Sequence, residues 1–167
     1  MTDLTIHEFS DDLVHHFRDI NAEWIEAMYR MEETDRDVLG NPRARIVDPG
    51  GAILFVAAAG LGIVGACALQ KTGAGRYELT KMGVRASARG RKAGEFLLAA
   101  TIARAQAMGA TTLYLLTNRK SAQAIHLYEK LGFVHDAKIM AEHGTRYDRC
   151  NVAMRYPLPF APAVLSA

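Results

Sequence analysis

The stretch from Glu78 to Leu98, ELTKMGVRASARGRKAGEFLL, constrains the fold more than any other part of the chain. It opens as a β-rich run, Tyr77 to Val84, crosses a loop of small and basic residues, and enters a Leu- and Ala-rich helix at Gly94. Between Lys81 and Lys92 stand five cations, Lys81, Arg85, Arg89, Arg91 and Lys92, and no acid. The first N–H groups of a helix lack internal partners and its macrodipole favours negative charge there, so such a loop suits an anion. Gly90 and Gly94, with Ala88 and Ala93, leave room for a phosphate to approach the main chain. A solvated basic loop is the plainer account, and the interleaved small residues favour the anion site over it.

The flanking sequence extends this unit into a sheet. Thr111 to Thr117 (TTLYLLT) is a compact β-rich run after the helix, so the unit reads strand–helix–strand with its two strands parallel. Upstream, Ala52–Ala59 and Gly62–Gln70 read as a hairpin about Gly60-Leu61-Gly62, and a Thr72–Gly75 turn leads into Arg76–Val84. These three strands are expected to form an antiparallel meander. Near the start, Leu4, Ile6 and Phe9 suggest a first strand, and Ser10 an N-cap. Leu13, Phe17, Ile20, Trp24 and Met28 then follow at helical spacing. Thr34 and Asp37 open a second helix that Gly40-Asn41-Pro42 ends. Downstream, Ser121 caps a helix whose stripe is Ala124, Leu127, Tyr128 and Leu131. Gly132 stands at C′, with Phe133 packing back on Tyr128. Strands over Val134–Met140 and Asn151–Tyr156 complete the sheet, and the Pro-rich tail lies on the surface or at an interface, which keeps a homodimer among the expected states. The expectation is one α+β domain over residues 1–167, with a mixed, mostly antiparallel sheet of six or seven strands and about four helices.

Composition narrows the function classes. The 167 residues are 50% hydrophobic and 23% charged, with a net charge of +2, too small to argue for nucleic acid. No apolar run approaches the ~20 residues of a membrane span, and MTDLTIHEF lacks a signal peptide's pattern. Cys67 and Cys150 have no metal spacing, and the six histidines show no H-x-x-x-H pair, so no metal is expected. The reading is a cytoplasmic protein with reduced thiols. Trp24 is expected in the core rather than in a binding floor.

RGRKAG (Arg89 to Gly94) matches neither G-x-G-x-x-G nor G-x-x-x-x-G-K-[ST]. It resembles the pyrophosphate loop [QR]-x-x-G-x-[GA] of the GNAT superfamily of N-acetyltransferases, with Lys92 where the motif has its first glycine. The run NRKSAQAIHLYEKLGFV (Asn118 to Val134) is similar to the superfamily's later motif through Asn118, Ala122, Ala124, Ile125, Tyr128, Gly132 and Phe133. NAEWI, an E-x-x-D pattern before the Gly50-Gly51 turn, and YDRCNVAM resemble a branch of small acetyltransferases.

The resemblance implies the GNAT fold, with strands four and five splayed to bind acyl-CoA and acetyl-CoA as co-substrate. It places the pantetheine arm against the backbone of Met82, Gly83 and Val84, and the pyrophosphate at Arg89, Gly90, Arg91, Lys92, Ala93 and Gly94. Asn118, Ala122 and Ile125 complete the implied cofactor-binding set. Gly83 suits close approach or marks a bulge. Tyr128 is implied as the acid that protonates the leaving thiolate, against a core-packing reading. Glu78 matches a general-base position, and period two would put it on one face with Thr80 and Met82. A surface salt bridge to Lys81 or Arg76 is its competing account. Cys67 lies too deep in an apolar strand to be a nucleophile. The implied activity is direct acetyl transfer to a primary amine on a small molecule or protein. The acceptor floor would come from the first two helices and the His143–Asn151 segment. The rival class is a non-catalytic acyl-CoA-binding module.

Overall fold

The computed structural model describes residues 3–143 and 148–160. A seven-stranded sheet runs in the order β1-β2-β3-β4-β5-β7-β6. Strands β1 (Leu4–Glu8), β2 (Ala52–Ala58), β3 (Gly62–Gly73) and β4 (Arg76–Val84) pair antiparallel in sequence order, as the meander requires. β4 then pairs in parallel with β5 (Thr112–Thr117), across the connecting helix α3 (Ala93–Ala107). β7 (Val152–Arg155) lies antiparallel to β5, and β6 (Val134–His135) closes that edge.

Each face of the sheet carries its own core. On one face, Val64, Cys67 and Leu69 of β3 pack with Leu97, Leu98 and Ile102 of α3 and with Tyr128 of α4 (Ala122–Lys130). On the other face, Phe55, Ala66 and Ala68 meet Phe17, Ile20 and Ile25 of α1 (Val14–Met28) and Val38 and Leu39 of α2 (Glu33–Gly40). The alternation along β3 explains the split, since neighbouring residues of a strand point to opposite faces.

Several expectations are corrected. Val134–Met140 is not one strand: after two residues of β6 the chain turns into α5 (Ala137–His143). Asp136 causes the switch, its Oδ1 accepting the N–H groups of Lys138 at 2.9 Å and Ile139 at 3.3 Å and so opening a helix. With α5 there are five α-helices among the described residues, besides a π-turn at Arg43–Val47 and 3-10 turns at Asp11–Leu13 and Ala86–Ala88. α2 starts at Glu33 rather than at Thr34, because Asp35 Oδ2 takes the Glu32 N–H at 2.9 Å. Neither Ser10 nor Ser121 makes a side-chain cap. The end of α4 follows the expected pattern: Gly132 sits at φ +113°, and the N–H of Phe133 returns to the Tyr128 carbonyl at 3.0 Å. Residues 161–167 of the tail lie outside the described residues, and among those described no helix is long and apolar enough to cross a membrane.

Candidate active site

The β4–β5 ladder stops early. Pairing runs from Arg76↔Thr112 to Leu79↔Leu115, and beyond it the two strands become opposite walls of a cleft of about 450 Å³. Met82, Gly83 and Val84 form one wall, and Leu116, Thr117 and Asn118 the other. Gly94 and Arg89 close one end of the cleft. Trp24, Tyr29, Glu78, Arg149 and Cys150 line it as well.

A bulge in β4 decides what each side chain meets. Thr80 lies opposite Ala68 and Gly83 opposite Ala66, so Lys81 and Met82 share the place opposite Cys67. The extra residue reverses the alternation. Met82 and Val84 join the α3–α4 core with Leu79, while Gly83 faces α1. Glu78, Thr80 and Met82 therefore do not share one face, as plain period two had predicted. Gly83 is a glycine because of Trp24: a Cβ there would stand 2.4 Å from the indole Cδ1. Trp24 itself is only half buried and donates its Nε1 proton to Asn21 Oδ1 at 2.9 Å; it packs against the α1–α2 core and also lines the cleft.

The helix α3 opens at the cleft. Its N-cap is Lys92, at φ +61°, and this left-handed conformation accounts for the glycine usual at that motif position. By helix geometry the N–H groups of Lys92, Ala93 and Gly94 have no intrahelical acceptor. That of Arg91 does have a partner, the Ala88 carbonyl at 3.3 Å, and the Arg91 guanidinium turns away to Asp3 Oδ2 at 3.4 Å. Gly94 has room for a Cβ, its nearest neighbours being Leu127 Cδ2 and Val84 Cγ2 at 3.6 Å, so its smallness leaves space at the cleft. Among the predicted residues, Gly90, Arg91, Lys92 and Ala93 do not line the cleft wall, and Ile125 faces a separate groove with His135 and Met140. Asn118 lines the cleft but spends its amide within the protein. Its Nδ2 donates to the Arg149 carbonyl, and its Oδ1 accepts the Lys120 N–H at 2.9 Å.

Tyr128 lines the same cleft from α4, and only 8% of the residue is exposed. Its ring packs edge-on against Phe133 at 5.9 Å between centroids. Its hydroxyl has no hydrogen-bond partner among the described residues. Burial, with the neighbouring Cys67 and Tyr29, pushes the phenol well above its ordinary range, so it stays protonated at neutral pH. Glu78 is 1% exposed, which rules out a surface salt bridge. Lys81 reaches Asp35 at 2.8 Å and Arg76 reaches Glu142 at 3.3 Å. Cys67 is fully enclosed, and burial raises its thiol to about 12, so it is no nucleophile.

A buried ionic cluster beneath the cleft was not foreseen. Asp35 Oδ1 accepts Lys81 Nζ at 2.8 Å and Arg149 Nη2 at 2.8 Å, and its Oδ2 takes Arg149 Nη1 at 2.7 Å. Arg149 also reaches Glu32 Oε2 at 3.1 Å and lies 5.8 Å from the Trp24 and Tyr29 ring centroids. The sequence signals were the E-x-x-D pattern, which is Glu32 to Asp35, and YDRCNVAM, which carries Arg149. Above the cleft, the Tyr29 hydroxyl meets Ser121 Oγ at 2.6 Å, and Lys120 Nζ lies 4.6 Å from the Tyr29 ring centroid. The α1–α2 side and part of the expected His143–Asn151 segment thus reach the site, although residues 144–147 lie outside the described residues. Among the described residues no group of three His, Cys, Asp or Glu is arranged to hold a metal.

Comparison with known proteins agrees with this geometry. An acetyltransferase from Staphylococcus aureus Mu50 superposes with a TM-score of 0.81 at 20% identity, over 92% of this chain and 98% of that one. The yncA structure from Salmonella typhimurium, which holds acetyl-CoA, gives 0.67 at 19% identity, over 81% and 82%. The spermidine N-acetyltransferase of Vibrio cholerae, in complex with CoA and spermine, gives 0.62 at 18%, over 80% and 82%. At these identities the likeness is one of fold. No curated protein matches the sequence. The sequence profile of the acetyltransferase (GNAT) family matches residues 11–133, and the chain belongs to that family.

Proposed function

We propose that the protein transfers the acetyl group of acetyl-CoA directly to a primary amine, with no covalent enzyme intermediate. One observation carries this reading: the Tyr128 hydroxyl, without a partner among the described residues, opens into the same cleft as the unpaired edge of β4 and the start of α3. The backbone groups of Met82–Val84 suit an extended pantetheine arm added as a strand, and the N–H groups at the start of α3, with Arg89, suit a pyrophosphate. In this reading the amine nitrogen attacks the thioester carbonyl, the C–S bond breaks, and Tyr128 gives its proton to the departing thiolate. The proton lost by the amine passes to Glu78 through water. Burial raises the phenol, and by the same physics it would raise a CoA thiol departing into this cleft, because both acids ionise to anions. The transfer is therefore less uphill than the phenol's shift alone would make it.

Glu78 and Tyr128 line one cleft, which favours an enzyme over a non-catalytic acyl-CoA-binding module. The acceptor panel holds amino acids, polyamines, aminoglycosides and peptides, and one structural neighbour was solved with spermine. A cytoplasmic setting, with Cys67 and Cys150 as thiols, belongs to the same reading. The test is thiol release from acetyl-CoA across that panel, on the parent protein and on Tyr128→Phe. We expect Tyr128→Phe to bind acetyl-CoA like the parent in calorimetry and to lose ~10²–10⁴-fold in kcat. A parent that binds acetyl-CoA and releases no thiol with any acceptor would support the binding-module reading. A loss below about threefold, with chemistry rate-limiting, would return Tyr128 to a packing role.

A further inference from the structure

Two non-glycine residues among those described have positive φ, and they differ in what their side chains do. Lys92, at φ +61°, is exposed at the start of α3, and its conformation asks nothing of its ammonium. Lys81, at φ +52°, is enclosed in the sheet, and its side chain ends on a carboxylate that is equally enclosed. Nζ lies 2.8 Å from Asp35 Oδ1, with side-chain exposures of 1% and 0%. A bulge residue in the left-handed region is ordinarily glycine, so a lysine there is a backbone outlier that its surroundings must hold. The holding group is well fixed. Asp35 stands in the first turn of α2, where both its oxygens take Arg149 and its Oδ2 takes the Glu32 N–H.

The consequence falls on the cleft. Lys81 is drawn toward α2, and the extra residue sends Met82 and Val84 to the α3–α4 side and leaves Gly83 against Trp24. The parallel ladder to β5 ends at Leu79↔Leu115, two residues before the bulge. We propose that the Asp35–Lys81 ion pair is a positioning device: it pins the β4 bulge and thereby sets the Met82–Val84 edge that receives the pantetheine arm. The clause about pantetheine rests on the proposed function, whereas the pinning of the bulge does not.

The experiment uses Lys81→Met, which keeps the chain length and removes the charge. Lys81→Gln, which can still donate to Asp35, decides the matter should the first variant fail to fold. Hydrogen exchange is followed at the amides of residues 80–84 and of the β1–β2 pair, and acetyl-CoA affinity is measured by calorimetry. We expect about tenfold faster exchange at residues 80–84, unchanged exchange in β1–β2, and about tenfold weaker acetyl-CoA binding; faster local exchange with β1–β2 unchanged is a combination that general destabilisation would not give. Faster exchange spread evenly over the sheet, or local exchange and affinity both within about twofold of the parent, overturns the proposal. Local loosening with unchanged affinity also overturns it, because the bulge would then not position the edge. If the parent itself binds no acetyl-CoA, the proposed function fails, and the exchange data alone judge the pinning.

Discussion

Glu78 and Tyr128 reach the cleft from opposite sides of the sheet, Tyr128 from the α3–α4 core and Glu78 from the α1–α2 face with Gln70 as its neighbour on β3. For Tyr128 the ring is packed against Phe133 and the residue lines the cleft, so a packing role and the proposed acid role are compatible in one side chain. Glu78 is enclosed, with 1% of the residue exposed, and it lines the cleft. An amine acceptor is mostly protonated at neutral pH, its group titrating near ~7.7 to ~10.4, so attack needs the proton removed first. Glu78→Gln keeps size and hydrogen bonding but removes basicity. We expect kcat to fall at neutral pH and to recover in part as pH rises and free amine becomes plentiful, measured as a kcat–pH profile. A higher acceptor KM at unchanged kcat would instead mark Glu78 as an anchor for the cation.

At the scale of elements, the approach of α1 to β4 depends on a missing side chain. The indole of Trp24 occupies the space a Cβ of Gly83 would take, 2.4 Å from Cδ1 and 2.7 Å from Nε1. Neither strand backbone nor a helix held at both ends can yield easily, so Gly83→Ala should destabilise by about 1–3 kcal/mol, as overpacking does. Removing the obstacle should relieve the clash: in Trp24→Ala the added methyl at position 83 should lose most of its cost. A double-mutant cycle by urea denaturation reads this as strong non-additivity. Equal effects of Gly83→Ala in both backgrounds would mean that the glycine serves something other than helix packing.

Across the whole molecule, the Asp35–Lys81–Arg149–Glu32 cluster joins α2, β4 and the segment leading to β7. Burial by itself would raise the Asp35 pKa, but Arg149 and Lys81 outweigh it and hold the carboxyl well below the usual carboxylate range. A carboxyl depressed in the folded state adds stability above its unfolded value, near ~3.9, and loses it as pH falls through the folded value. Asp35→Asn leaves the cations without their carboxylate, a change worth about 3–5 kcal/mol for a buried pair. Denaturant titrations should therefore show a full deficit for Asp35→Asn near neutral pH. Below about pH 4 the deficit should shrink, because the unfolded parent chain takes up a proton at Asp35 while the folded parent does not, and it should vanish only below the depressed folded value. A deficit independent of pH down to the acid transition would mean that the charge of Asp35 contributes nothing to it.

Local chemistry accounts for what the sequence by itself determined. The meander, the parallel β4–β5 pair, the helix entered from a basic loop and the glycine-ended α4 all follow from alternation, helical spacing and turn residues within short windows. The placing of Tyr128, Met82, Gly83, Val84, Gly94 and Asn118 in one cleft came instead from the family resemblance carried by two motifs one strand apart. The tertiary structure alone decided the rest. Period two cannot foresee the bulge at Lys81, because nothing in that strand is a glycine where the left-handed residue falls; the reason lies 46 residues away at Asp35. Arg149 is 114 residues from the same carboxylate, and Tyr29 meets Ser121 across 92. Such contacts depend on where packed faces bring distant segments together, and a charge among many on the chain gives no local sign of which one will be buried and paired.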